Sequence, residues 1–297
     1  MFPGPLNTAA LSSRLVGYLS NAQQTMGNLE QQVATGKALT LPSSNPVQVV
    51  NTMSLDATLT RAKQYSTNAQ DGSAMLGMAN NALTQVMNQV QQVRTLVLQA
   101  GNGTSTSTSN SALAQQVTSI KNTILNLANT SYLGNPIFAG GSGSSNAYDS
   151  NGNYLGGVNA PTRTVGAGVQ LPASVVGPSA FGTTGSTQLF TVLSQIASNL
   201  SSGATSTVLG SDLTNLDTAI STLSSAAAQV GTYYTQMQSM SSQLNQTQTQ
   251  LITQIQNIQN VNPAKVITQL QLQQSSYQEA MWATSKAIPP SLSTFLG

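Results

Sequence analysis

A run of small and apolar residues spaced alternately three and four apart limits what this chain can fold into more than any other feature. Ala62, Tyr65, Ala69, Gly72, Leu76, Ala79, Leu83, Val86, Val90, Val93, Val97 and Ala100 keep that spacing without a break. Such spacing puts every member on one side of an α-helix, so a seam roughly 60 Å long must be covered by another helix. A second run in the other half, Leu213, Leu216, Ile220, Leu223, Ala227, Val230, Tyr233, Met237, Met240 and Leu244, repeats the pattern. It continues loosely through Leu251, Ile255 and Ile258. Two helices of similar length predict an antiparallel pair in which each half supplies the face the other buries. Small residues fill the first half of the first seam, which predicts close approach at that end.

Shorter segments complete the pattern. After a loop over Gly101 to Asn110, Leu113, Val117, Ile120, Ile124 and Leu127 mark a third helix and an αα-hairpin. Leu189, Val192, Leu193, Ile196 and Leu200 mark a short amphipathic helix. Leu11, Leu15, Tyr18, Ala22, Leu29 and Val33 predict a helix near the start, capped by Thr8 or Ser12 and ended by Gly36. Asn45 before Pro46 reads as a helix start, and Pro263 as a restart followed by Val266, Leu270, Tyr277 and Met281. Pro289 and Pro290 end regular helix. In the middle, repeated glycines break up short apolar stretches, and Asp149-Ser-Asn-Gly152 predicts a hairpin turn between Ala147-Tyr148 and Asn153–Leu155. The expected fold is mainly α, with long antiparallel heptad helices from both ends of the chain and a small inserted β-rich domain. Residues 1–43 and 261–297 are expected as terminal helices, 44–136 and 188–260 as a helical bundle, and 137–187 as the insert.

The terminal segments have apolar faces, few charges and no third element nearby in sequence. They are expected to pair with each other and with copies of themselves, and to be poorly ordered in the free monomer, because helices this short are marginal alone.

Composition narrows function. The 297 residues include no Cys and no His, and charged residues make up 5%. Triads using His, Cys nucleophiles and the usual zinc ligand sets therefore have no material. The seven carboxylates are scattered, and Asp212 and Asp217, five apart, fall on different faces of a helix. No catalytic residue, cofactor or metal is expected. Nine basic residues form no stripe, so nucleic acid is not an expected partner. No apolar run is long enough to span a membrane, and Met1 to Ala10 lack the pattern of a cleavable signal. So little charge repels copies weakly and favours self-association.

Four stretches carry a family resemblance. They are Val33-Ala-Thr-Gly-Lys37 with Leu41-Pro-Ser-Ser-Asn-Pro46; the segment from Val90 through Arg94 to Thr104; Leu125-Asn-Leu-Ala-Asn-Thr130 closing on Asn135-Pro-Ile-Phe-Ala-Gly140; and Val266-Ile-Thr-Gln-Leu-Gln-Leu-Gln-Gln274 with Tyr277. Together and in order they resemble the flagellin superfamily, and within it the hook–filament junction family, hook-associated protein 3. The resemblance covers both helical ends and is weak in the middle. It departs from the family at Ser44-Asn45, where two acidic residues are usual, at Met1-Phe-Pro-Gly-Pro5, and at Pro289-Pro290.

The resemblance implies an extracellular structural adaptor of the bacterial flagellum, joining hook to filament, with bulk flagellin as the alternative role. It implies self-association in a ring or helical lattice, hook-associated protein 1 and flagellin as neighbours, a cytoplasmic export chaperone, and export through the flagellar type III apparatus. Subunit-interface residues are then expected at Leu11, Leu15, Leu29, Val33, Val266, Leu270, Tyr277, Met281 and Trp282, the single tryptophan. Arg94 is expected to make a polar contact between helices or subunits. A different reading, a binding module in the insert, would use Tyr148 and Tyr154 against a sugar.

Overall fold

The computed structural model describes residues 8–38, 45–101, 106–203 and 206–287. Helix α1 spans Thr8–Thr35, α2 Pro46–Gly101 and α3 Ser107–Ala128. Strands β1 (Ser131–Tyr132), β2 (Asn135–Pro136), β3 (Thr162–Gly166) and β4 (Val169–Pro172) follow. Then come α4 (Gly177–Phe181), α5 (Leu189–Ser201), α6 (Ser206–Gln259) and α7 (Pro263–Ala287). The chain divides into a terminal unit, Met1–Thr60 with Thr249–Gly297, and a central unit, Arg61–Gln248.

In the central unit both seams face the core, although Tyr65, Leu213, Ile220, Ala227, Tyr233 and Met240 are only half-buried. Leu76, Leu83, Val86, Val90, Val93 and Val97 of α2 are fully enclosed, as are Leu216, Leu223, Val230 and Met237 of α6. Polar contacts fix their direction. Gln248 Nε2 donates to the Ala62 carbonyl at 3.4 Å, Ser66 Oγ to Asn245 Oδ1 at 3.1 Å, and Arg94 Nε to Asp217 Oδ1 at 2.9 Å. As the position on α2 advances, its partner on α6 recedes by nearly equal steps, so the pair is antiparallel in one register over roughly 48 Å. Where the first seam is small, the room is taken by a side chain: a Cβ on Gly72 would lie 2.7 Å from Met237 Cε.

Helices α3 and α5 pack on each other, and their apolar faces join the same buried cluster as the two seams. The expected loop through Asn110 is shorter than its composition suggested. Thr106 Oγ1 accepts from Ser109 N at 3.2 Å and caps α3, so Ser107–Asn110 already form its first turn.

Strand is sparse between the helices. β1 pairs antiparallel with β2, and β3 with β4 around a turn at Ala167-Gly168, where Gly168 has φ +73°. That turn divides the apolar stretch Val165–Val169 between two strands, and Ala173–Val175 runs as buried non-strand chain through half-buried Val176 to α4. The Asp149–Gly152 turn is present: Leu155 N donates to the Ala147 carbonyl at 2.9 Å, and Tyr148 bridges Tyr154. Asp149 Oδ1 accepts from Asn151 N and Asn153 N, each at 2.8 Å, an Asx-type closure.

Aromatic rings hold this region to the helices. Tyr148 lies 4.8 Å from Phe190, 5.3 Å from Tyr154 and 5.5 Å from Phe181 between ring centroids. The Asn129 side chain grips the Tyr148 backbone twice, accepting from its N–H at 2.8 Å and donating to its carbonyl at 2.9 Å. Ile137, Phe138 and Ala139 are fully buried, and the following Gly140 (φ +65°) leaves room for the Gly157 carbonyl, 2.7 Å from where a Cβ would stand. The two stretches 125–130 and 135–140 thus lock the exit from α3 to the insert. Tyr148 is buried and Tyr154 half-buried, with its hydroxyl donating to the carbonyls of Phe138 and Gly157. Neither presents a ring face of the kind a sugar-binding site would need.

Candidate assembly surface

The terminal unit is built on α1 and α7, which pack together. Helix α1 ends at Gly36, in the left-handed region at φ +70°, its N–H bonded to the Gln32 carbonyl at 2.8 Å. The chain then meets the turn after α6: Ala38 N donates to the Gln259 carbonyl at 2.6 Å and Val261 N to the Gly36 carbonyl at 3.0 Å. This short antiparallel clasp centres on Lys37 and Asn260. Asn262 Oδ1 accepts from Lys265 N at 3.3 Å and caps α7, just as Asn45 Oδ1 accepts from Gln48 N at 3.2 Å at the start of α2. Asn45 thus caps the helix by hydrogen bonding, without the acidic residue usual there. Further along, Gln273 Nε2 reaches the Ala22 carbonyl at 3.4 Å, so α1 and α7 run antiparallel from the clasp.

Their seam repeats the three-and-four spacing. On α1 the half-buried positions include Leu15, Ala22, Met26 and Leu29. On α7, Val266 and Thr284 are buried, with Leu270, Gln273, Tyr277 and Ala280 half-buried. None of the described side chains of α1 is fully buried. Two helices alone cannot enclose such a seam.

The expected interface residues separate accordingly. Leu15, Leu29, Val266, Leu270 and Tyr277 lie along the seam between α1 and α7. Val33, Met281 and Trp282 face outward, with Trp282 73% exposed. The side chain of Leu11 lies outside the described residues, as do Pro289 and Pro290. Arg94 is elsewhere, in the central unit, paired with Asp217 of the same chain.

Sequence reading missed several exposed apolar residues of the terminal unit. Val16 on α1, Val47, Val50 and Met53 on α2, and Ile267 and Leu272 on α7 are all exposed, and Tyr18, expected on the apolar face of α1, is exposed as well. The signal was available at the start of α2, where Val47, Val50 and Met53 recur every three residues before the buried seam begins. By contrast, among the described hydrophobic residues of this unit, only Leu59, Leu251, Ile255 and Val266 are buried.

The ionisable groups do not converge. Asp212 is raised by burial, partly offset by its hydrogen bonds from Asn199, and Asp217 pairs with Arg94 on a different face. Burial pushes the Tyr148 hydroxyl far up, and it has no hydrogen-bond partner among the described groups. Among the described residues no three metal-ligating side chains gather, and no helix is long and apolar enough to cross a membrane.

Comparison with known proteins now bears on this geometry. Residues 6–142 match the bacterial flagellin N-terminal helical region, and residues 213–293 the bacterial flagellin C-terminal helical region, together well over half of the chain. The chain belongs to the flagellin family. Within that family it is 27% identical over 162 residues to flagellar hook-associated protein 3 of Salmonella typhimurium, covering 54% of this chain and 51% of the relative. The chain thus spans about half the length of the curated relative it matches. The fold is shared with flagellar hook-associated protein-3 of Legionella pneumophila, at TM-score 0.61 and 13% identity over 69% of this chain and 98% of the other. It is also shared with FlgL of Bacillus cereus, at TM-score 0.59 and 19% identity over 68% and 99%.

Proposed function

We propose that this chain is a structural, non-catalytic subunit of the bacterial flagellum that joins hook to filament. The observation that carries this reading is the α1–α7 pair, which bears apolar residues both along its seam and on its outward faces. Exposed apolar residues of this kind mark association sites. Copies of the same chain, hook-associated protein 1 below and flagellin above would supply the missing cover. Residues 1–43 and 261–297 then form the polymerising segments, 44–136 and 188–260 the helical bundle, and 137–187 a separate insert. The similarity to hook-associated protein 3 supports the junction role over bulk flagellin. Export as an unfolded chain through the type III apparatus, with a cytoplasmic chaperone, fits the same reading.

Deleting the gene and examining cells by electron microscopy tests it. Hooks without filaments, and intact flagellin in the medium, are the expected result. Filaments that persist in reduced number would make the chain one of several flagellins, the role its family also includes. Normal flagella would refute both roles. Purified chain should also fail to grow long filaments alone, whereas a bulk flagellin grows them.

A further inference from the structure

The β3–β4 hairpin lies against both long helices of the central unit. On the α2 side, Arg163 Nε donates to Asp71 Oδ2 at 2.6 Å, and Asn68 Nδ2 donates to the Thr164 carbonyl at 2.7 Å. The Arg163 stem crosses Gly72, its Cγ 3.4 Å from where a Cβ would stand, at the level where Met237 of α6 enters. On the α6 side, Leu171 of β4 borders a groove running from Ala228 to Gln243. Beneath the hairpin, Val165 is fully buried.

Asp71 is the charged hub of this arrangement. Its second oxygen accepts from the Tyr132 hydroxyl of β1 at 2.9 Å, so one carboxylate ties together α2, β1 and β3. Arg163 and Tyr132 are the ionisable groups that face it, while α6 brings the uncharged Met237. A charge-assisted contact of this kind is among the stronger polar links a surface can hold. With charged residues making up only 5% of the chain, few other carboxylates could take its place. We propose that the β3–β4 hairpin is a releasable strap across α2 and α6, with Asp71 as its lock. When Asp71 loses its charge the strap opens from its remaining apolar contacts, Val165 and Leu171, while the helical core stays closed. The strap holds the two long helices together where the seam residues are smallest.

Limited trypsin digestion of the full chain tests this, because Arg163 is the sole tryptic position between Lys121 and Lys265. Asp71→Asn should speed cleavage after Arg163 by about tenfold, the factor expected for losing one charge-assisted hydrogen bond. Cleavage after Lys121, on α3, reports the helical core and should keep its wild-type rate. Tyr132→Phe, a milder change, should give an intermediate acceleration at Arg163 alone. Unchanged cleavage after Arg163 in both variants overturns the proposal. Equal acceleration at Arg163 and Lys121 also overturns it, since Asp71 would then support the whole bundle rather than a strap.

Discussion

Tyr148 and Tyr154 face each other with ring centroids 5.3 Å apart, yet removing their hydroxyls should move stability in opposite directions. The Tyr148 hydroxyl is buried without a partner, whereas the Tyr154 hydroxyl donates to the Gly157 carbonyl at 2.8 Å and to the Phe138 carbonyl at 3.1 Å. An unsatisfied buried polar group costs about 1–3 kcal/mol, and a made hydrogen bond contributes about 1 kcal/mol net. Tyr148→Phe keeps the ring packing and removes the orphan donor, so it should stabilise by roughly 1–2 kcal/mol. Tyr154→Phe should destabilise by about 1–2 kcal/mol, because the Gly157 carbonyl loses its donor while Phe138 keeps the Gly177 N–H at 2.8 Å. For a unit of this size each kcal/mol shifts the melting temperature by about 2–4 °C, so the two variants should melt about 4–16 °C apart. Near-ultraviolet circular dichroism during heating reads the transition from the aromatic cluster itself. A Tyr148→Phe variant that melts below wild type would refute the reasoning, since its hydroxyl would then have a partner worth keeping.

Gly152 has φ +89°, and a Cβ there would stand 2.4 Å from Phe190 Cβ, so Gly152→Ala should lose about 2–4 kcal/mol in a denaturant titration. Asp71 is held below its ordinary 3.8: burial opposes ionisation, but the hydrogen bonds from Arg163 and Tyr132 outweigh it. A depressed carboxylate stabilises above its unfolded value and loses that contribution as pH falls through its folded value. The protection of the hairpin amides, relative to intrinsic exchange at the same pH, should therefore fall below about pH 4 in wild type but show little pH dependence of that kind in Asp71→Asn. Trp282, exposed in the monomer, should shift its fluorescence to the blue on assembly, and Trp282→Ala should impair assembly while leaving the monomer's melting unchanged. In dilute solution α1 and α7 should show weak amide protection against strong protection along the seam of α2; equal protection would contradict their need for further partners.

Long seams were the most legible part of the sequence, because a spacing kept over a dozen positions has few other physical meanings. Caps were legible too: Gly36, Asn45 and the restart at Pro263 are local devices that act through their own backbones. The insert was harder. Its turn at Asp149–Gly152 could be read from side-chain chemistry, but α4 and the ring cluster of Phe138, Tyr148, Phe181 and Phe190 depend on contacts between residues far apart. Tyr148 and Tyr154 resembled candidate ligand contacts for the same reason, since nothing local says that a tyrosine is packed. Among the candidate interface residues, sequence identified apolar positions on α1 and α7 without saying which faced each other. That distinction rests on the register set by the clasp, which pairs residues more than two hundred positions apart.

That separation also orders events in time. Helix α1 stands more than two hundred residues ahead of the strand-like partner of its last turn, Gln259 to Val261, and of the helix it packs on. Closing a loop that long is entropically costly, and nothing offsets it until α7 is in place. The central unit, by contrast, is a compact set of contacts made within Arg61–Gln248. Helix α1 is therefore among the last elements to settle, and it stays an unpaired apolar segment for as long as its partner is missing.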